Sequence, residues 1–97
     1  MTVKSLPDIT PNGSVVALVV ASPSIPVQAR WVQLSTTGST CRYGDSLIGA
    51  SRGARISSTA PAQIGFGFQE GQGPYDLTQI YVFAAAGSDT ISITFGV

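Results

Sequence analysis

The 97-residue chain carries five basic and five acidic residues, so its formal net charge is zero and only 10% of its residues are charged. This length suits a single domain, and ordinary soluble domains contain about 25% charged residues. A neutral chain lacks the basic surface that nucleic-acid binding needs. So few charges protect a monomer poorly against association, which favours a surface that is partly covered by other subunits.

The N-terminal segment, residues 1–13, is predicted to be an extended arm rather than part of the packed domain. Pro7 and Pro11 are expected to block regular strand pairing. The arm either docks on a neighbouring subunit or is a loose terminus, and residues 14–97 form the globular domain. The candidate interface side chains of the arm, spaced three residues apart, are Val3, Leu6 and Ile9.

Three strands are predicted in the first half of the domain. Residues 15–21 are apolar on both faces, which indicates a strand covered on both sides. The same run is too short to cross a bilayer, so no membrane partner is predicted. Residues 29–35 alternate and place Trp31 on the face opposite Val32, and residues 40–43 form a shorter strand between turns.

Three further strands are predicted in the second half, at residues 63–68, 78–84 and 90–96. The last of them alternates strictly between apolar and hydroxyl side chains, which is typical of a half-buried strand. Its apolar face is predicted to pack in the core against the apolar face of the strand at 63–68. The predicted core set is Ile64, Phe66, Phe68, Ile91, Ile93 and Phe95.

The strand at residues 78–84 carries aromatic side chains whose role depends on how the sheet is covered. Tyr81 and Phe83 lie on the face opposite Ile80 and Val82, and one of these two faces belongs to the core. If the sheet is covered on one side only, an aromatic face would form an outer patch. Such a patch marks a protein interface or a sugar-binding platform. Burial of both faces is the alternative.

The pattern as a whole predicts an all-β domain of six to eight short antiparallel strands, and no segment has helical periodicity. Gly and Pro turns recur about every ten residues, which is typical of β-sandwiches and small barrels.

No catalytic, cofactor or metal site is predicted, and the chain is predicted not to be an enzyme. The absence of histidine removes the commonest general base and the commonest metal ligand. The lone Cys41 cannot form an internal disulfide and is predicted to be a small buried side chain. Four acidic residues lie in turns, where carboxylates usually bond the local backbone; they are Asp45, Glu70, Asp76 and Asp89.

The arginines outside the arm are candidates for contacts with a partner. Arg52 and Arg55 form either a small basic spot or a solvated pair in a loop, and the other two are Arg30 and Arg42. The planar guanidinium fork suits carboxylates at interfaces.

Four segments together resemble a known class of protein. They occur in the order Ala29–Ser35 (ARWVQLS), Arg42–Ser46 (RYGDS), Tyr75–Val82 (YDLTQIYV) and Asp89–Gly96 (DTISITFG). In this combination they resemble small virion proteins of tailed bacteriophages, of the capsid cement or decoration kind. The resemblance implies a β-sandwich or jelly-roll-like module on the outer capsid that bridges subunits of the major capsid protein. It also implies no enzymatic activity and no cofactor. Similar β modules occur in phage necks, tails and fibres.

A virion module of this kind is expected to form a homo-oligomer, with a trimer favoured over a dimer. Its candidate interface residues are Val3, Leu6, Ile9, Trp31, Tyr81 and Phe83. The competing hypothesis is a carbohydrate-binding β-sandwich that stacks sugars on Trp31, Tyr75 and Tyr81, although the sequence identifies no polar partners beside these rings.

Overall fold

The computed structural model describes residues 3–19, 28–64 and 75–97, and within these ranges the chain forms strands and no helix. The strands found there are β1 (Val3–Ile9), β2 (Val15–Ala17), β3 (Gln28–Ala29), β4 (Trp31–Thr36), β5 (Cys41–Gly44), β6 (Ala54–Ile56), β7 (Ala62–Ile64), β8 (Tyr75–Asp76), β9 (Tyr81–Ala84) and β10 (Ile91–Gly96). The prediction of an all-β domain is confirmed.

Two four-stranded sheets face each other. The order is β1-β10-β4-β7 in the first sheet and β2-β9-β5-β6 in the second, while β3 and β8 form a separate pair. The described pairs are antiparallel, and five of them are nested along the chain: β5 with β6, β4 with β7, β3 with β8, β2 with β9 and β1 with β10. The pairs of β4 with β10 and of β5 with β9 complete the two sheets. This nested order is the strand order of a jelly roll, in which one long folded hairpin is wound into two sheets.

The core lies between the two sheets and follows from the alternation along β4 and β10. Leu34 lies opposite Ile93 and Val32 opposite Phe95, and each of these side chains is at most 2% exposed. The prediction that Ile91, Ile93 and Phe95 of β10 lie in the core is confirmed. The prediction that this face packs against the strand at residues 63–68 is wrong for its described part, because β7 belongs to the same sheet and β4 lies between β7 and β10. The second sheet closes the core with Cys41, Ile56, Val82 and Ala84.

Two predicted strands are seen only in part. The strand predicted at residues 63–68 is represented by β7, and Ile64 packs half-buried against the core. Phe66 and Phe68 lie outside the described residues. Of the strand predicted at residues 15–21, the structure shows β2, and residues 20 and 21 lie outside the described residues. The prediction that both faces of this strand are covered is wrong for Val15, whose side chain is 38% exposed.

The N-terminal segment differs from the prediction, because residues 3–9 form an edge strand of the first sheet. β1 pairs with β10 along its length, and one extra residue is accommodated between Leu6 and Ile9. Pro7 lies in this bulge, where an edge strand tolerates the missing N–H. The expectation that proline blocks regular pairing here is therefore wrong. Leu6 and Ile9 pack half-buried against the core, so strand pairing joins this part of the predicted arm to the sandwich.

Candidate interaction site

The outer face of the second sheet combines apolar and basic side chains in register. One row runs across all four strands and contains Val15, Phe83, Arg42 and Arg55. The sequence neighbours of these residues, such as Val82, fill the core, so alternation places this row on the opposite side of the sheet. We call these four residues the outer row.

The aromatic residues of β9 belong to this outer face. Tyr81 and Phe83 alternate with Val82 and Ala84, which are fully buried in the core. Phe83 is nevertheless only 8% exposed, although it is not part of the core cluster, and Tyr81 is half-buried. Cross-strand neighbours have Cβ atoms about 5 Å apart. Val15 on one side of Phe83 and Arg42 on the other therefore shield part of its ring from solvent.

The loop between β5 and β6 packs against the same face. Ile48 is 6% exposed, and its Cγ2 lies over Gly44 of β5 and beside Gly53, where an added Cβ would approach it to 2.7 Å and 2.9 Å, respectively. Gly53 also has a φ of +117°, a conformation that favours glycine. The anchoring of this loop leaves Leu47 63% exposed beside the buried Ile48, so the loop presents one large apolar side chain to solvent.

Two arginines of the outer row lie directly opposite each other on β5 and β6. Arg42 is half-buried, and its Nη1 donates a hydrogen bond of 2.8 Å to the carbonyl of Gly53. Arg55 is exposed. Both line a depression of about 200 Å³, together with Ser39, Thr40, Cys41, Ala50 and Ala85. Like charges in directly opposed positions repel each other, so this depression favours an anionic group.

A carboxylate network ties together the two loops beside the depression. Asp89, which is 8% exposed, accepts hydrogen bonds from the N–H of Thr40 at 3.1 Å and from its hydroxyl at 2.5 Å. The same hydroxyl oxygen accepts a bond from the N–H of Ala86 at 3.1 Å. The Asp89 carboxylate also occupies the space that a side chain at Gly38 would take. The network is therefore a structural clamp between the turn after β4 and the turn after β9.

The turn prediction for the acidic residues holds for two of them and fails for Asp89. Asp45 accepts a bond from the N–H of Leu47, and Asp76 accepts one from the N–H of Thr78, each at 2.9 Å. Asp89 instead bonds a residue 49 positions away, so its role depends on tertiary structure. Glu70 lies outside the described residues.

The clamp gives a pH-dependent prediction. The hydroxyl and then the N–H of Thr40 lower the pKa of Asp89 below its ordinary value of 3.8. A carboxyl group whose pKa is lower in the folded state than in the unfolded state stabilises the fold when the pH is above the unfolded-state pKa. This contribution is lost as the pH falls through the folded-state pKa. When the pH falls from about 5 to about 2, the melting temperature of Asp89→Asn should therefore decrease less than that of wild type.

The matched control for this prediction is Asp8→Asn, which replaces an exposed carboxylate on β1. Its melting temperature should follow the wild-type curve over the same pH range. Calorimetry would contradict the clamp if the Asp89 variant and wild type lost the same melting temperature on acidification.

Cys41 is a buried side chain, as the sequence predicts. It is 1% exposed, and its Sγ lies 3.2 Å from the hydroxyl oxygen of Thr36. Burial is the main cause that raises the pKa of the thiol, so little thiolate forms near neutral pH. We expect Ellman's reagent to label Cys41 only after unfolding in denaturant. Rapid labelling of the native protein would contradict this placement.

The six predicted interface residues do not form one patch. Tyr81 and Phe83 share the outer face of the second sheet, whereas Trp31 lies on the outer face of the first sheet, where its indole fills the space over Gly96. Val3 lies opposite that glycine and is 63% exposed. The remaining two residues, Leu6 and Ile9, are half-buried at the edge of the core.

Sequence reasoning missed the pairing of Arg42 with Arg55 and the exposed Leu47. The alternation of residues 40–44 does place Arg42 on the face opposite Cys41. The partner of Arg42 could not be found in this way, because the register of β6 depends on the length and packing of the loop before it.

Comparison of the chain with known protein families, with curated proteins and with solved structures finds no match. Within residues 3–19, 28–64 and 75–97, no group of three or more Cys, Asp or Glu side chains is arranged to hold a metal ion. The same part of the chain contains no helix of the length and hydropathy needed to span a bilayer.

Proposed function

We propose that this protein is a structural module that docks on a larger protein assembly through the outer face of its second sheet. The supporting observation is the composition of that face. Val15 is exposed in the outer row with Arg42 and Arg55, Tyr81 is half-buried on the same face, and the loop between β5 and β6 adds the exposed Leu47. Aromatic residues and arginine are enriched at the centres of protein interfaces, whereas acidic residues are depleted there.

The assembly that we propose is the capsid of a tailed bacteriophage, on the basis of the four segments that resemble cement proteins. The partner would be the major capsid protein, and the module would bridge its subunits from the outside in the mature virion. A jelly roll is compatible with this role, because the fold occurs in viral capsid proteins as well as in lectins and cupins. The fold alone does not select the function. A neck, tail or fibre module is the alternative within the same class.

The docking proposal is tested by cosedimentation with capsids purified without this protein. Wild-type protein should pellet with them, and Leu47→Asp should not, because it places a charge on the exposed apolar tip of the loop. Ser92→Asp is the matched control: Ser92 is exposed on the first sheet, so this variant should pellet normally. Equal binding of both variants would show that another surface docks, and no binding of wild type would contradict the cement role itself.

Self-association is the second part of the proposal, with a homotrimer favoured over a dimer. The low charge and the exposed apolar residues of the sandwich support it, since closed rings cover such surfaces. Light scattering coupled to size exclusion should give three times the chain mass of 10.0 kDa. A stable monomer, both alone and when eluted from particles, would contradict it.

The structure places polar side chains near Trp31, as the carbohydrate hypothesis requires. It does not place Trp31 and Tyr81 on one common stacking surface. Gln33, Gln63 and Thr94 form a row on the outer face of the first sheet, next to the row that contains Trp31. Tyr81, however, lies on the outer face of the second sheet. Two rings on opposite sides of a sandwich cannot stack on the same sugar. Binding to a glycan array that Trp31→Ala abolishes would favour this second function over docking.

A further inference from the structure

We infer that Arg42 and Arg55, which lie opposite each other on β5 and β6, bind a single carboxylate from an acidic segment of the docking partner through their guanidinium groups. This inference rests on the proposed docking function and specifies the chemistry that the same face recognises. It starts from the register of β5 and β6, which places the two arginine residues directly across from each other, and from the depression that both of them line. An antiparallel pair with like charges in this position is destabilised unless an anion lies between them.

The described part of the chain does not supply that anion. Asp45 and Asp76 accept hydrogen bonds from the backbone of their own turns, and Asp89 is held by Thr40. Asp8 is exposed on β1, in the opposite sheet. Neither arginine forms an ion pair or hydrogen bond with an acidic residue in the described ranges. The remaining acidic residue, Glu70, lies outside them and is tested directly below.

The geometry suits one carboxylate with an apolar flank. Arg42 is fixed by its bond to Gly53, which uses one of its five N–H donors and leaves the others for a ligand. Arg55 is exposed and can close over a bound group. The remaining lining consists of small side chains, Ala50 and Ala85 among them, while Phe83 continues the row on the other side of Arg42.

Size and charge exclude larger anions. The depression of about 200 Å³ is smaller than the roughly 300–1,000 Å³ of ordinary small-molecule sites, but one acidic side chain fits. A polyanion such as a nucleic acid needs an extended basic track, which the neutral chain does not offer.

The first experiment uses the isolated full-length protein and nuclear magnetic resonance at constant ionic strength. The probes are N-acetyl-glutamate amide, the corresponding glutamine compound and inorganic phosphate. We expect saturable shifts of the amide signals of Arg42, Gly53 and Arg55 with the glutamate compound and none with the glutamine compound. A phosphate response stronger than the glutamate response would overturn the inference in favour of a phosphate site. No saturable shift with any probe would overturn it altogether.

Single variants test whether the shifts caused by the glutamate compound depend on Arg42 and Arg55. Arg55→Gln changes an exposed side chain and should abolish the shifts without altering the fold, and Arg42→Gln provides a second variant. Arg52→Gln is the matched control, because it removes an exposed arginine from the same loop region, and it should respond like wild type. Glu70→Gln should also respond like wild type. If only Glu70→Gln bound the glutamate compound, the chain's own carboxylate would occupy the pair, and the inference would be wrong.

The second experiment separates this inference from the docking function. In cosedimentation with capsids, Arg55→Gln should weaken binding at least tenfold, and the binding that remains should depend less on salt than that of wild type. If the variant bound as tightly as wild type, docking would stand and the carboxylate site would be refuted. If wild type failed to bind capsids but still showed the glutamate-specific shifts, the docking function would be refuted and the carboxylate site would stand.

Discussion

Replacing Phe95 with alanine is expected to lower the free energy of unfolding by about 3–5 kcal/mol, the usual cost of truncating a buried phenylalanine. Phe95 is 1% exposed and lies between β1 and β4 in the middle of the first sheet. Its cross-strand partners, Lys4 on β1 and Val32 on β4, are held in place by the sheet, so the cavity that the ring would leave closes only in part. Since small domains are stable by only about 5–15 kcal/mol, the variant should lose a large share of its stability and unfold at a much lower urea concentration.

Urea unfolding followed by the fluorescence of the single tryptophan, Trp31, measures this loss. The matched control is Ser92→Ala on the same strand, where the side chain points to solvent. A change at such a surface position should alter stability by less than about 0.5 kcal/mol. If the Phe95 variant had the same urea midpoint as wild type, the ring could not be packed between the sheets.

Deleting residues 2–9 is expected to have the second-largest effect, because it removes β1 from the sheet. Leu6 and Ile9 are half-buried, and burial of one such side chain contributes about 1.5–3 kcal/mol when complete, so the pair contributes roughly 2–3 kcal/mol here. The deletion would also remove the hydrogen bonds between β1 and β10. The exposed edge of β10 would then be able to pair with other chains.

We therefore expect the truncated protein to unfold at lower urea concentration and to aggregate on standing. Two single variants separate the contributions within the strand. Leu6→Ala should be destabilised, whereas Val3→Ala should not, since Val3 is 63% exposed. If the truncated protein had the urea midpoint of wild type, β1 would not stabilise the domain, and residues 1–13 would be a separate arm, as the sequence predicts.

The sequence identifies the faces of strands well, because alternation is a local property. The pattern of β10 assigns Ile91 and Phe95 to the core and Ser92 to the surface, and each assignment is confirmed. Val32 could likewise be separated from Trp31 within β4. A period of two in the sequence becomes two faces in the sheet without knowledge of which strands are neighbours.

The partners of these strands could not be predicted, since pairing depends on residues far apart in the chain. Pro7 argues against a strand when it is read locally, but the bulge opposite β10 accommodates it. The bond between Asp89 and Thr40 joins two turns that are 49 residues apart. The opposed arginines arise from a register that no local pattern specifies. The candidate site was therefore less predictable than the core.

The nested pairing of the strands also determines the order in which the fold can be completed during synthesis. β5 and β6 lie innermost and can pair as soon as both have been made, and β4 with β7 follows. β1 is made early, but its partner β10 comes about 80 residues later, which corresponds to roughly 4–16 seconds at about 5–20 residues per second. During this interval the ribosome-bound chain exposes the apolar side chains of β1 and one edge of β4 to other nascent chains. Premature strand exchange between copies is therefore a hazard of translation, and it ends when β10 is inserted between β1 and β4.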